Sequence, residues 1–203
     1  MVIFNTSLTV NSNMKNKEKC AALGAILGII IFIAFTLIAI VLYPNYNQET
    51  QYLSALGAKE PSAMLFNFGL MVGGLLSIPF FLYLKKFLGK TKTAITGTIL
   101  LLASSISLMG IGFFPSGEEL HTPIALLFFL LILIGVFLVS KTIFSSKKFP
   151  KKLAYLGFGF AVIELISGLL AFRPIHQKIT VLAYCIWVTV IAIQVIKLAE
   201  KKN

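Results

Sequence analysis

The chain has 203 residues but no aspartate, a single arginine, two histidines, two cysteines and one tryptophan. Charged residues make up 12% of it, where a soluble domain carries about 25%. Each shortage removes a class of function. Cys20 and Cys185 show no CxxC or Cys/His spacing, which excludes a thiolate zinc site and a dithiol redox pair. One opens the first apolar stretch and the other lies inside the last, in opposite halves of a bilayer, so no disulfide is expected between them. There is no glycine-rich phosphate loop, dinucleotide fingerprint or zinc-protease motif, and no cofactor is expected. With so few charges, a chain of this length cannot cover one water-soluble core.

What it has instead is apolar length. Hydrophobic residues make up 58% of the chain, and the mean hydropathy is +0.92. Residues 21–43 form 23 positions without a charge. A signal-peptide core is shorter, about 7–15 residues, and ends at a small-residue cleavage site, so this segment reads as a retained helix. Further apolar runs cover 63–84, 93–114, 123–140, 153–172 and 179–198. About 20 residues at 1.5 Å rise cross a hydrocarbon core of about 30 Å. Open strands are excluded because their edges would be unsatisfied in lipid. The expected fold is therefore all-α: a polytopic membrane bundle of six transmembrane helices. One domain, 21–198, is flanked by a disordered basic tail, 1–20, and a short tail, 199–203. Met14 opens the lysine cluster of that first tail, and residues 1–13 read as tail or as an over-called start.

The net charge is +11. Nucleic-acid binding would gather that charge on a soluble face with stacking aromatics. Here the lysines fall in short runs between apolar stretches. With the N-terminus inside, 15 basic residues lie on the inner side, and Lys59, Arg173 and Lys178 lie outside. The positive-inside rule then places both termini in the cytoplasm of a multi-pass cell-membrane protein. The lysine runs read as topology determinants facing anionic inner-leaflet lipid.

Local signals add detail. Thr122 is placed to cap the fourth helix with Pro123 at its first position. Pro61 suits the start of the second helix, and Pro79 lies inside it. Gly24-x-x-x-Gly28 and Gly69-x-x-x-Gly73 put small residues on one helical face, for contact within the chain or between copies. Phe128, Phe129 and Phe137 lie on a fourth helix that is apolar all round and is expected to face lipid. Three helices precede and three follow the loop at Pro115, but the halves show no residue-level similarity that would mark an inverted repeat.

The longest outer loop, 44–62, is the most informative segment. Glu49–Leu56 is expected to form two helical turns ended by Gly57, with Tyr52 and Leu56 on one face against the membrane surface. Gln51-Tyr52-Leu53-Ser54-Ala55-Leu56-Gly57-Ala58, followed by Pro61-Ser62 and Phe66-Asn67-Phe68-Gly69, resembles the signature of the DUF998 family of prokaryotic membrane proteins. Gly110-x-Gly112-Phe113-Phe114-Pro115 with Leu120-His121-Thr122 is a second match. The same stretch is similar, more distantly, to the DRAM and Sfk-type eukaryotic proteins. The resemblance spans roughly residues 20–198 and implies about six helices and no settled activity. The distant relatives' ties to membrane-lipid organisation, lipid-anchor remodelling and autophagy imply membrane lipid as the partner. Where the family often carries Glu-Arg in its fifth helix, this chain has Glu164-Leu165, so a paired arginine has no counterpart.

Glu164 is the only acid within the apolar runs, close to mid-depth. A charge there costs about 2.5–3.5 kcal/mol or more. It reads either as a neutral acid bonded to a neighbouring helix, with Ser167 and Gly168 nearby, or as a proton carrier. His121, His176, Glu118, Glu119, Arg173 and Ser54 are all expected at the outer face. Three functions follow. In the first, which needs no catalysis, lipid is gripped by Tyr52, Ser54, His121 and Arg173, with Arg173 as phosphate donor. The second is a small proton-coupled transporter using Glu164. The third is an intramembrane lipid hydrolase built on Ser54, His121 and an acid. His121 and His176 are the weak candidates for a metal.

Overall fold

The computed structural model describes residues 4–170 and 173–201, with side chains from residue 16 onward. The helices are α1 (Phe4–Leu42), α2 (Ser62–Leu88), α3 (Lys92–Phe113), α4 (His121–Ser145), α5 (Lys151–Leu169) and α6 (Pro174–Glu200). No strand occurs among the described residues. Each helix is long and apolar enough to cross a membrane, so the six-span expectation holds. Helices are the only open segments that satisfy their own N–H and C=O groups in hydrocarbon.

The helices overrun their apolar stretches at the lysine-rich end. There α2 takes in Lys85 and Lys86, α4 takes in Lys141, and α6 runs past Lys197. Lysine is a good helix former, and its long stem carries the ammonium to the polar layer. α1 likewise continues through the basic segment in which disorder was expected. Two of its side chains there have partners. Glu18 is buried with its carboxylate 3.6 Å from Lys86 Nζ, and Lys19 Nζ lies 2.7 Å from the Glu200 carboxylate. The side chains of Met14 and Lys15 lie outside the described residues. α5 ends at Leu169, and Phe172, where it was expected to end, also lies outside them.

Two helix starts differ in detail from expectation. α4 begins at His121 after Leu120, with Thr122 already inside the helix and no side-chain cap. The preceding turn explains this: Gly117 has φ 109°, Glu118 N donates to the Pro115 carbonyl, and the Glu118 carbonyl takes His121 N at 3.1 Å. The cap that does form is at α3, where Thr91 Oγ1 accepts from Ala94 N at 3.2 Å. Pro61 is the residue before α2, and Pro79 lies within it.

Consecutive helices pack side by side, and α6 returns onto α1, so the six close a ring. The α1–α2 seam holds all four motif glycines. A Cβ on Gly28 would lie 3.3 Å from Gly73 Cα, one on Gly69 would lie 3.5 Å from Phe32 Cα, and Gly24 faces the Leu76 carbonyl. Those small faces serve contact within the chain.

The ring is not packed evenly. Phe80, Phe81, Leu84, Leu101, Ile132 and Ile191 are fully buried, and their places on the helices put them in the lysine-rich half. Phe128 and Phe129 are buried in the other half, contrary to the expectation that they face lipid. Phe137 does face outward, against Phe158 at 5.7 Å. A helix that is apolar all round has no amphipathic signal to say which face turns inward.

The α2–α3 contact gives a stability test. A Cβ on Gly112 would collide with the Asn67 carbonyl oxygen and the Met71 side chain, whereas one on Gly159 meets nothing within 4 Å. Gly112→Ala is expected to lose about 1–3 kcal/mol. Gly159→Ala should lose nothing, because alanine favours the helix by about 1 kcal/mol. Thermal unfolding in detergent checks both, and equal melting temperatures would refute the α2–α3 packing.

Candidate functional site

The α1–α2 connection caps the lysine-poor end of the ring. It begins with Asn47, whose Oδ1 accepts from Glu49 N at 2.9 Å and Thr50 N at 3.2 Å. This local bonding competes with helix and replaces the helix expected over Glu49–Leu56. A 3-10 helix follows at Leu53–Gly57. Leu56 is fully buried while Tyr52 is exposed, so the two do not share a face. The segment plugs into the ring instead of lying flat on the membrane.

Its buried carbonyls are met from α2. Ser62 Oγ lies 2.8 Å from the Leu56 carbonyl and 2.7 Å from the Lys59 carbonyl, which share its single proton, and Asn67 Nδ2 donates to Gly57 O at 3.0 Å. A side chain at Gly57 would occupy the place of the Asn67 amide. Because Gly112 packs on the Asn67 carbonyl, Asn67 joins the two signature stretches.

From the other side, α6 holds the loop. Gln177 Oε1 accepts from Leu53 N at 2.7 Å. Lys178 Nζ donates to the carbonyls of Gln48 and Gln51, both at 2.6 Å, and lies 5.6 Å from the Tyr46 ring centre. The Tyr46 hydroxyl donates to Tyr52 O at 3.2 Å. Burial, with a smaller push from Tyr43, lifts that phenol to about 12, so it stays a donor through the mildly alkaline range.

Beneath the cap lies a chamber of about 80 Å³. Its wall is almost wholly apolar, including Phe32, Phe66, Leu108, Phe128 and Val181. Ser54, His121 and Gln177 supply polar groups under the cap, with Ser77 and Tyr184 farther down. α5 contributes nothing to its lining. An open groove of about 180 Å³ runs between α1 and α6 and includes Ile33, Thr36, Ile40, Gln48, Lys178 and Leu182. Phe32, Leu53, Val181 and Cys185 line both, so the α1–α6 groove adjoins the chamber.

The structure sorts the candidate residues. It brings Ser54 and His121 to one chamber and leaves Tyr52 and Arg173 exposed outside it. Glu164 is buried away from the chamber, in the α5–α6 seam beside Thr180, and its Oε2 has no hydrogen-bond partner. Ser167 Oγ lies 3.4 Å from Thr180 Oγ1 in the same seam. His121 Nδ1 is 2.9 Å from the Phe114 carbonyl, a contact that puts the proton on Nδ1. Among the described residues no hydrogen bond joins Ser54 to His121, and no acid lines the chamber. Nor does any group of three His, Cys, Asp or Glu gather there to hold a metal, and His176 Nδ1 is buried without a partner. Sequence reasoning missed Gln177, Lys178 and Asn67. The signal was a long polar loop whose buried backbone needs partners, beside the only basic residue in the first turns of α6.

Gln177→Leu removes the acceptor for Leu53 N and keeps the apolar stem. Amide exchange across residues 48–57 is expected to rise about threefold to tenfold, the range for one hydrogen bond. Unchanged exchange in that segment would mean that α6 does not hold the cap.

No curated protein and no solved structure matches the chain. A family model described as "Protein of unknown function (DUF998)" matches residues 26–194, a span that takes in the cap and the chamber, and the chain belongs to the DUF998 family.

Proposed function

We propose that this multi-pass membrane protein binds a lipid in the chamber. The observation that carries the reading is an apolar cavity inside a ring of membrane-length helices. Small-molecule sites have apolar walls and a few polar groups, and this one has that lining. Ser54, His121 and Gln177 at the capped end suit the polar end of an amphipathic molecule, and the apolar wall below suits its chain. The only apolar solvent around these helices is the bilayer itself. No part of the reading requires catalysis.

In this proposal the lysine-rich end is cytoplasmic. The 15-to-3 division of basic residues supports that orientation, and it makes the cap and chamber features of the outer leaflet. A membrane-impermeant maleimide should then label Cys20, which is exposed in the N-terminal part of α1, in inverted vesicles only. Labelling in intact cells would reverse the orientation.

A second reading, proton-coupled transport, is supported by the Glu164 oxygen that lacks a partner in the α5–α6 seam. On that reading Glu164→Gln abolishes pH-dependent uptake while the protein still inserts.

The lipid proposal is tested with neighbouring residues of α4. Ala125 lines the chamber, and Leu126 faces outward. Ala125→Trp should reduce co-purifying lipid, read by native mass spectrometry, at least about tenfold, equivalent to about 1.4 kcal/mol. Leu126→Trp should leave it unchanged. Equal lipid content in the two variants, both monodisperse, would sink the proposal.

A further inference from the structure

The α1–α6 groove carries more information than the chamber it adjoins. Its wall climbs both helices in step. On α1 it runs through Phe32, Ile33, Thr36, Leu37 and Ile40 to Gln48 of the cap, and on α6 through Cys185, Leu182 and Val181 to Lys178. Polar groups occur at two heights. Thr36 Oγ1 is buried and has no hydrogen-bond partner. A threonine within a helix ordinarily returns its proton to the carbonyl one turn back, as Thr98, Thr142 and Thr189 do here. Thr36 does not, and its residue lines the groove. Nearer the cap stands Lys178, with two of its three N–H donors given to the Gln48 and Gln51 carbonyls. No acidic residue lines the groove among the described residues.

A donor hydroxyl at one depth and a cation above it, over an apolar floor, repeat the order of groups in one class of molecule. A glycerophospholipid has acyl chains, then ester carbonyls, then a phosphodiester. We infer that the α1–α6 groove is a binding site for a glycerophospholipid of the leaflet at the capped end. Thr36 Oγ1 donates to an acyl ester carbonyl, and the remaining Lys178 N–H faces the phosphodiester. An acyl chain descends past Val181 and Cys185, the residues that the groove shares with the chamber. This deepens the chamber reading and rests on it: the lipid enters sideways between α1 and α6, and the cap that Lys178 holds forms the lintel over that opening.

Two comparisons within the full-length protein in detergent test the assignment. The probes are dioleoyl phosphatidylglycerol, its dialkyl ether analogue without ester carbonyls, and dioleoylglycerol without the phosphodiester. Wild-type protein should prefer the diester to the diether about threefold to tenfold, the range for one hydrogen bond. Thr36→Val should erase that preference. The same substitution should raise the melting temperature of lipid-free protein, because it removes a buried hydroxyl that has no partner. Lys178→Met should likewise erase the preference for phosphatidylglycerol over dioleoylglycerol. A ratio taken within one variant cancels any general loosening of the cap.

Equal binding of diester and diether by the wild type overturns the assignment. So does an ester preference that survives Thr36→Val. If Ala125→Trp expels lipid while Thr36→Val leaves the ester preference intact, the chamber binds lipid but the groove does not recognise it as described. If Ala125→Trp and Leu126→Trp retain lipid equally, the chamber reading itself fails.

Discussion

The structure depends on satisfying backbone polar groups that are pushed into an apolar mouth. A loop between membrane helices ordinarily stays in water, where its N–H and C=O groups cost nothing. Here Leu53, Leu56 and Gly57 are buried, and an unmet carbonyl or amide at that place would cost about 1–3 kcal/mol. Three side chains remove the cost, Ser62 and Asn67 from α2 and Gln177 from α6, and Lys178 of α6 adds bonds to the less buried Gln48 and Gln51 carbonyls. Because those donors and acceptors stand on opposite sides of the loop, the cap also joins α2 to the N-terminal turns of α6. The chamber lies beneath this cap, while the other half of the ring closes on its phenylalanines and branched aliphatics.

An empty apolar cavity is costly, about 24 cal/mol per Å³ in a soluble core. Packed helices avoid such space unless something fills it. Small residues keep it open here: Gly28, Gly73, Ser77 and Ala125 stand where larger side chains would reach across. The glycines therefore act twice. They let α1 and α2 approach closely, and they leave room on the inner side of that seam. An acyl chain filling the space regains the dispersion contacts that the wall otherwise lacks.

Much of the architecture was legible in the sequence because one property governs it. Hydropathy along residues 21–198 marks six spans, since each must be apolar over the same length to cross the same hydrocarbon. The signature around Tyr52–Gly57 pointed to the loop that caps the chamber. Which residues of that loop matter was less legible. Tyr52 and Arg173 looked like ligand contacts but are turned outward, whereas Ser54 and His121 do reach the chamber. In a chain this apolar, helical periodicity no longer separates inside from outside, so the inward turn of Phe128 and Phe129 came only from packing. The roles of Gln177 and Asn67 depend on partners 124 and 10 residues away. The Asn47 turn, which breaks the expected helix, is a local competition that residue spacing does not reveal.

The buried polar atoms left without partners divide the molecule into two chemistries. Thr36 stands alone in the α1–α6 groove. Glu164 lies in the α5–α6 seam, His176 in the first turn of α6, and Ser140 and Trp187 each beside Gly157 of α5. α5 thus gathers polar groups around itself and gives nothing to the chamber, while α1 to α4 surround the apolar space. α4 and α6 belong to both regions: α4 lines the chamber with His121, Ala125 and Phe128 and sets Ser140 against Gly157 of α5. On α6, Val181, Tyr184, Cys185 and Val188 face the chamber, and Thr180 stands against Ser167 and Glu164 on the other side. The N-terminal turns of α6 are the ones that Gln177 and Lys178 tie to the cap, so any displacement of α6 strains those same bonds, and α6 is a wall that the seam, the chamber and the cap share.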